Sequence, residues 1–394
     1  MSMRKALITR RRFLAGTAAA GALAGIASFP RPSLADSTVK VGVVLPFSGG
    51  LELFGNQGKI GLELAKAEIN AAGGIMGTPL ELIYEDSKTD PKTANERALK
   101  LIQRDEVLAI CGPILSAERD AMAGTIKKGK TPLLYATNYE GGMCERYMFS
   151  FNTVPNQDTA PLIPFLNDKV GKTYYMFGAD YVWPRNMFKA AKGMIADTGG
   201  QTLGEEYTPF GVSDFSSIIK KIADSGAKVL VFALPGADGI TFIKQAEDFG
   251  LMKKVTVAFL GFSETYLGAF GPGKGENMYA GVPFVASSDE PGVKDFVARV
   301  RKSTSPEQVV SFYVMTHYNS LIALKKGVEA QGKIDREAAV DGMAGLEFDI
   351  PTGKAMITKD DHHTAMNMYI ARTSQGALVV EKALGIIQPA KQCA

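Results

Sequence analysis

The run from Thr38 to Pro46 (TVKVGVVLP) constrains this chain more than any other segment. It is Val-rich and too continuous for a strand with one solvated face, so it fits a strand buried on both faces of a parallel sheet. Helical spacing follows at Ile60, Leu64, Ala67 and Ala71, and Gly73-Gly74 supplies a left-handed stop. Leu80, Leu82 and Tyr84 begin a second strand, Pro91 opens a helix to about Arg104, and Val107 to Gly112 is a third strand. Ser116 to Lys128 reads as helix and Thr131 to Thr137 as strand. This alternation is a doubly wound α/β lobe built from right-handed crossovers.

The rhythm breaks from Tyr147 to Gln157 and then restarts. Thr173–Gly178, Thr202–Phe210, Lys228–Leu234 and Val255–Leu260 are strand-like. Helices are expected at Pro184–Thr198, at Asp214–Asp224 with Asp214 as its cap, and on to Phe249. A second irregular stretch runs from Met278 to Pro283, followed by a long helix around Phe312–Val328 and short strands towards the C-terminus. With 394 residues, two α/β lobes with several chain crossings are expected, a single large sheet being the alternative.

The first 35 residues read separately from this pattern. They carry six basic residues and no acid, then an apolar run from Phe13 to Phe29, then Ser33-Leu34-Ala35. That is the layout of a secretory signal, with cleavage expected after Ala35 and a periplasmic product. Thr9-Arg10-Arg11-Arg12-Phe13-Leu14 resembles the twin-arginine (Tat) export signal. With those six set aside, 38 of the 44 basic residues face 41 acidic ones, a net of −3 that gives no basic face for nucleic acid. Export places three cysteines in an oxidising compartment, where at most one internal bridge can form. Cys111 lies in an apolar strand-like run, and a Cys144–Cys393 bridge tying down the tail is the preferred pairing.

Several chemistries are missing. There is no HExxH, CxxC, Walker A, GxSxG or GxGxxG pattern, so no metal site, cofactor or nucleophile–base pair can be named. His362-His363 follows Lys359-Asp360-Asp361 and reads as a turn or strand start rather than a metal or catalytic pair. A binding protein without catalytic residues is expected.

In doubly wound sheets ligands sit beyond the carboxyl ends of the strands. Those ends collect Phe47-Ser48-Gly49-Gly50 with Phe54, Ile114 and Ser116, Tyr135-Ala136-Thr137, Tyr181 and Trp183, Pro235-Gly236-Ala237, and Glu264. Hydroxyls, aromatic rings, one carboxylate and helix N-terminal amides suit a small polar molecule with an apolar part.

From Val39 to about Gly385 the chain resembles the leucine/isoleucine/valine-binding family of periplasmic solute receptors that feed ABC transporters. Tyr139-Glu140-Gly141, Pro155-Asn156-Gln157, Gly178 to Arg185 (GADYVWPR) and His362-His363-Thr364 resemble the branch that binds urea and short-chain amides. The resemblance implies two Rossmann-like lobes, 36–156 plus 284–352 and 157–283 plus 353–394, joined by a multi-strand hinge. It implies a monomer that closes on a solute and is read by an inner-membrane permease. It also implies a pocket at Tyr135, Thr137, Tyr181 and Ser116. Ile114 stands where the branch often carries a large aromatic residue, which leaves a larger or more apolar pocket. The alternatives are an amino-acid or aromatic-acid receptor, with Glu264 facing an ammonium group, and a ligand-sensing regulator on the same fold. Arg185 is the one strand-end cation available as a carboxylate clamp.

Overall fold

The structure is a computed structural model that describes residues 38–271 and 273–393. The expected signal segment and its cleavage site after Ala35 lie outside the described residues. The first lobe starts with β1 (Val39–Leu45), α1 (Glu52–Ala71), β2 (Leu80–Asp86), α2 (Pro91–Gln103), β3 (Ala109–Cys111), α3 (Ser116–Gly129), β4 (Leu133–Tyr135) and β5 (Met148–Ser150). Its five strands are all parallel, in the order β2-β1-β3-β4-β5. Six of the seven residues of β1 are buried, as its unbroken valine pattern requires.

The second lobe runs through α4 (Pro155–Lys169), β6 (Thr173–Ala179), α5 (Val182–Asp197), β7 (Gln201–Thr208), α6 (Ser216–Asp224), β8 (Val229–Ala233), α7 (Gly236–Asp248), β9 (Thr256–Phe259), α8 (Leu267–Phe270) and β10 (Tyr279–Val282). The chain then forms α9 (Pro291–Ser303), α10 (Phe312–Gln331) and α11 (Arg336–Met343). It ends in β11 (Glu347–Ile350), β12 (Gly353–Ile357), β13 (Thr364–Ser374) and β14 (Ala377–Ile387). The second sheet has the order β11-β12-β13-β10-β9-β8-β6-β7, with β14 on β13. Strands β6 to β10 are parallel, and β11 to β14 join antiparallel.

Several expectations are corrected by the structure. Both stretches read as irregular contain short buried strands. Tyr147–Gln157 holds β5 and the start of α4, and Met278–Pro283 holds β10. Three or four residues interrupted by Ser or Gly carry too little periodicity to register as strands. Of the C-terminal strands, β11 and β12 are short, with four and five residues, but β13 and β14 have eleven each, and register shifts in their pairing blur the alternation. Asp214 does not cap α6 directly. The helix begins at Ser216, whose amide donates to Asp214 Oδ1 at 2.9 Å.

Helix α1 shows a shifted face. Ala67 and Ala71 are exposed, while Phe54, Gly58, Gly61, Leu62, Ala65 and Ile69 point inwards. The glycines explain the shift, because α10 crosses α1 in contact with its backbone. A Cβ at Gly61 would lie 2.1 Å from the Val314 carbonyl oxygen, and one at Gly58 would lie 2.9 Å from His317 Nε2. This crossing carries Tyr313, near the start of α10, to the cleft between the sheets.

Beside the crossings, the Ser150 amide donates to the His362 carbonyl at 2.9 Å, and Thr364 Oγ1 donates to the Ser150 carbonyl at 2.6 Å. Cys144 and Cys393 form a disulfide, and Cys111 is free and buried. Beyond β14 the tail bonds back along the molecule, Asn156 Nδ2 to the Gln388 carbonyl and the Gly142 amide to Gln392 Oε1. Among the described residues no helix is long and apolar enough to cross a membrane.

Candidate functional site

The strand ends of the two sheets meet around a cavity. From the first lobe come Leu51 and Phe54 after β1, Ile114, Leu115 and Ser116 after β3, and Thr137 and Asn138 after β4. The second lobe contributes Tyr181 and Trp183 after β6, Pro235 after β8, and Leu260, Gly261 and Tyr266 after β9, while Tyr313 closes the floor from α10. The free space is about 30 Å³, by the measure in which one water needs about 10–15 Å³. The lobes are in contact at its edge, where a Cβ on Gly236 would lie 2.8 Å from the Gly50 carbonyl oxygen.

Of the residues singled out from the sequence, Phe54, Ile114, Ser116, Thr137, Tyr181, Trp183 and Pro235 line this cavity. Tyr135, Ala136, Gly236 and Glu264 stand one layer back. Tyr135 is fully buried, and its hydroxyl donates to the Ile114 carbonyl at 3.0 Å. The Ala136 carbonyl is already taken by Asn152 Nδ2 at 3.1 Å and Thr316 Oγ1 at 2.7 Å. The Gly236 amide donates to the Tyr266 hydroxyl at 3.2 Å, so it positions a lining residue. Glu264 accepts from the Ala286 amide at 2.7 Å and so holds the crossing after β10 instead of facing the cavity. Burial pushes its carboxyl up to about 7, with the Ala286 amide pulling the other way. Arg185 is turned away as well, paired with Asp180 at 2.6 Å.

Sequence reading did not single out Asn138, Tyr266 or Tyr313. Asn138 was one residue beyond the strand-end set. Tyr266 comes from a short turn after β9, and Tyr313 from a helix that reaches the site only through its crossing over α1.

Among the described residues, the lining carries no charged side chain. Tyr181, Tyr266 and Tyr313 have their phenols raised well above the usual range by burial, so they present neutral hydroxyls. The charges sit behind the wall. Arg119 Nη2 pairs with Glu140 Oε1 at 2.8 Å, and both side chains are almost fully buried. The guanidinium lies 5.2 Å from the Tyr135 ring centroid and 4.6 Å from that of Tyr139. Ser116 Oγ donates to Glu140 Oε2 at 2.7 Å, which links this cluster to the cavity. On the other side the Tyr139 hydroxyl hydrogen-bonds His363 Nε2, and His363 Nδ1 bonds the Asp361 carbonyl at 2.5 Å. Burial lowers the His363 pKa, keeping the ring neutral. Among the described residues no group of His, Cys, Asp and Glu could hold a metal ion.

Comparison with known proteins agrees with this geometry. The family model described as periplasmic binding protein matches residues 38–377. The Leu/Ile/Val-binding protein homolog 6 of Brucella suis is 29% identical over 350 residues, covering 86% of this chain and 88% of that one. The leucine-, isoleucine-, valine-, threonine- and alanine-binding protein of Pseudomonas aeruginosa is 24% identical over 339 residues, covering 85% and 89%. Among solved structures, a solute-binding protein of an ABC transporter from R. palustris, in complex with 4-hydroxybenzoate, superposes with a TM-score of 0.82 at 24% identity, covering 90% of this chain and 98% of that one. The branched-chain amino acid transporter substrate-binding protein of Streptococcus pneumoniae, in complex with isoleucine, gives 0.79 at 22%, covering 90% and 100%. The match over residues 38–377 shows that this chain belongs to the periplasmic binding protein family and is a solute-binding protein, not an enzyme.

Proposed function

We propose that this receptor captures a small, uncharged, planar solute of the short-chain amide or urea class and hands it to an inner-membrane permease. The observation that carries this reading is the cavity wall, which is aromatic and polar but holds no charged side chain. An ionic solute buried there would lose its hydration without gaining a counter-charge. Phe54, Tyr181, Trp183, Tyr266 and Tyr313 offer ring faces to a flat molecule. Ser116 spends its proton on Glu140 and accepts from Arg119 Nη1 at 3.4 Å, so its oxygen keeps one lone pair to accept from a solute N–H group. The small free volume also favours a solute of few heavy atoms.

Capture is by hinge closure between the lobes proposed as 36–156 plus 284–352 and 157–283 plus 353–394. Export through a Tat-type leader cleaved after Ala35 belongs to the same reading, and that leader speaks against a ligand-sensing regulator.

An amino-acid or aromatic-acid solute is the second reading. The relatives named for leucine, isoleucine and valine and the neighbour holding 4-hydroxybenzoate favour it, as does the N-terminus of α3 opening at Ser116. Against an amino acid, Glu264 is engaged at the crossing and leaves the ammonium group without an anion.

A thermal-shift panel of acetamide, propionamide, urea, isoleucine and 4-hydroxybenzoate tests the choice. A ligand at 100 times its Kd adds about 2.7 kcal/mol. A raised Tm with an amide or urea is expected. A rise with isoleucine or 4-hydroxybenzoate alone would replace the amide reading by the acid one.

A further inference from the structure

We propose that the side-chain N–H groups of Asn138 and Trp183, one from each lobe, form a two-donor clamp for the oxygen end of the solute. The inference rests on the solute-capture reading above and adds which atoms recognise which end of the ligand.

Asn138 and Trp183 are 5% and 6% exposed, and both line the cavity. Asn138 Nδ2 and Trp183 Nε1 are buried and have no hydrogen-bond partner. Burying an unpaired N–H is costly, so a folded protein keeps one where something else completes the bond. The remaining unpartnered buried polar atoms among the described residues belong to side chains that do not line the cavity, such as Glu118, Glu264, His317 and Asn319. Both unpaired donors therefore belong to residues of the cavity wall. The two side chains border the same glycine: a Cβ on Gly261 would stand 3.3 Å from Asn138 Nδ2, 3.6 Å from Asn138 Oδ1 and 3.5 Å from Trp183 Cη2. Gly261 has φ +74° and no side chain, which lets the amide and the benzo edge of the indole approach the backbone there.

The orientation of Asn138 is set from behind. The Tyr313 hydroxyl donates to Asn138 Oδ1 at 3.5 Å, so the amide turns its NH2 group to the cavity. Indole N–H can only donate. Both groups thus ask for an acceptor, a carbonyl or carboxylate oxygen, while Ser116 Oγ, which also accepts from Arg119 Nη1, has one lone pair left for a donor. An amide satisfies both ends, and its oxygen ties a residue of the first lobe to one of the second. The clamp is complete only with the lobes closed, which couples recognition to closure.

Trp183 is the only tryptophan of the chain, so the uniformly 15N-labelled protein has one indole N–H resonance. Propionamide and 4-hydroxybenzoate serve as probes, with affinities read by calorimetry on wild type, Trp183→Phe and Asn138→Leu. The indole proton should move downfield on saturation with the probe that binds. Each variant should lose about tenfold or more in affinity for it while keeping its unliganded Tm within a few degrees. The same losses with 4-hydroxybenzoate in place of propionamide would support the clamp and overturn the amide assignment. An indole signal unmoved at saturation would overturn the clamp without any variant, as would unchanged affinity in both variants, and capture would still stand. Absence of binding by either probe to the wild type would remove the clamp together with the small amide or aromatic-acid solute it was built for.

Discussion

Thr137 and Asn138 face a cavity without charged lining, whereas Glu140, two residues further on, is locked into a buried ion pair with Arg119. The front of this strand end keeps the Asn138 amide donor unpaired, and the back is saturated. Arg119 is held by Glu140, Asp120 and two tyrosine rings, and Tyr139 is held by His363. The contrast separates two demands on one loop. A binding surface must wait for a partner that the solute brings, and its scaffold must already own every partner it needs. Ser116 joins the two, with its proton in the cluster and its oxygen beside the cavity.

The largest expected effect comes from breaking the back. Arg119→Met leaves Glu140 buried without its cation and should destabilise the protein by about 3–5 kcal/mol in urea unfolding. Arg119→Met combined with Glu140→Leu should recover much of that loss, because an apolar pair of similar volume replaces the ions. If the double variant were as unstable as the single one, the cluster would owe its stability to packing of the arginine stem.

Glu264 belongs to neither side, since it is buried with one oxygen unpaired and yet lies outside the cavity. Its folded pKa of about 7 lies above the ordinary value of 4.5, with desolvation as the main cause. The folded state therefore holds a proton that the unfolded chain releases. This contribution is fully present below about pH 4.5 and is lost as the pH rises through about 7. Glu264→Gln should gain stability over wild type by on the order of 3 kcal/mol between pH 5 and pH 8. A difference independent of pH would place a counter-charge near Glu264.

The disulfide comes next. It anchors the tail beside the saturated cluster, where the Gln392 amide also donates to Asp361 Oδ2 at 2.8 Å. Replacing Cys144 and Cys393 by serine should cost about 2–4 kcal/mol in unfolding, with a smaller effect on solute affinity. Affinity falling more than stability would show that the tail shapes the cavity directly.

The smallest effects on the unliganded fold belong to the front. Tyr181→Ala and Thr137→Ala should each weaken solute binding by about 1–3 kcal/mol in calorimetry, and Thr137→Ala should barely change the unliganded Tm. Wild-type affinity in both would take them out of the site.

Much of the fold could be read from the chain because parallel strands buried on both faces leave unbroken apolar runs, as at Val39–Leu45 and Val229–Ala233. Strands β5 and β10 escaped because they are too short for any period to show. At the cavity, the rule that ligands gather at strand ends found Ser116, Thr137, Tyr181 and Trp183, since strand direction alone aims them. It could not separate the lining from the layer behind. Tyr135 ends β4, but its hydroxyl is spent on Ile114, and Glu264 follows β9 yet turns to Ala286. Tyr313 arrives from sequence far away, and the signal for it was indirect: the glycines of α1 that let α10 approach.

A cavity lined without charge selects a neutral solute. Calorimetric titration of the purified protein with propionamide and with propionate, matched in shape and different in charge, tests it directly. Propionamide should bind at least tenfold more tightly, a preference of about 1.4 kcal/mol or more. Tighter binding of propionate would contradict the account and mark the site as one for carboxylates.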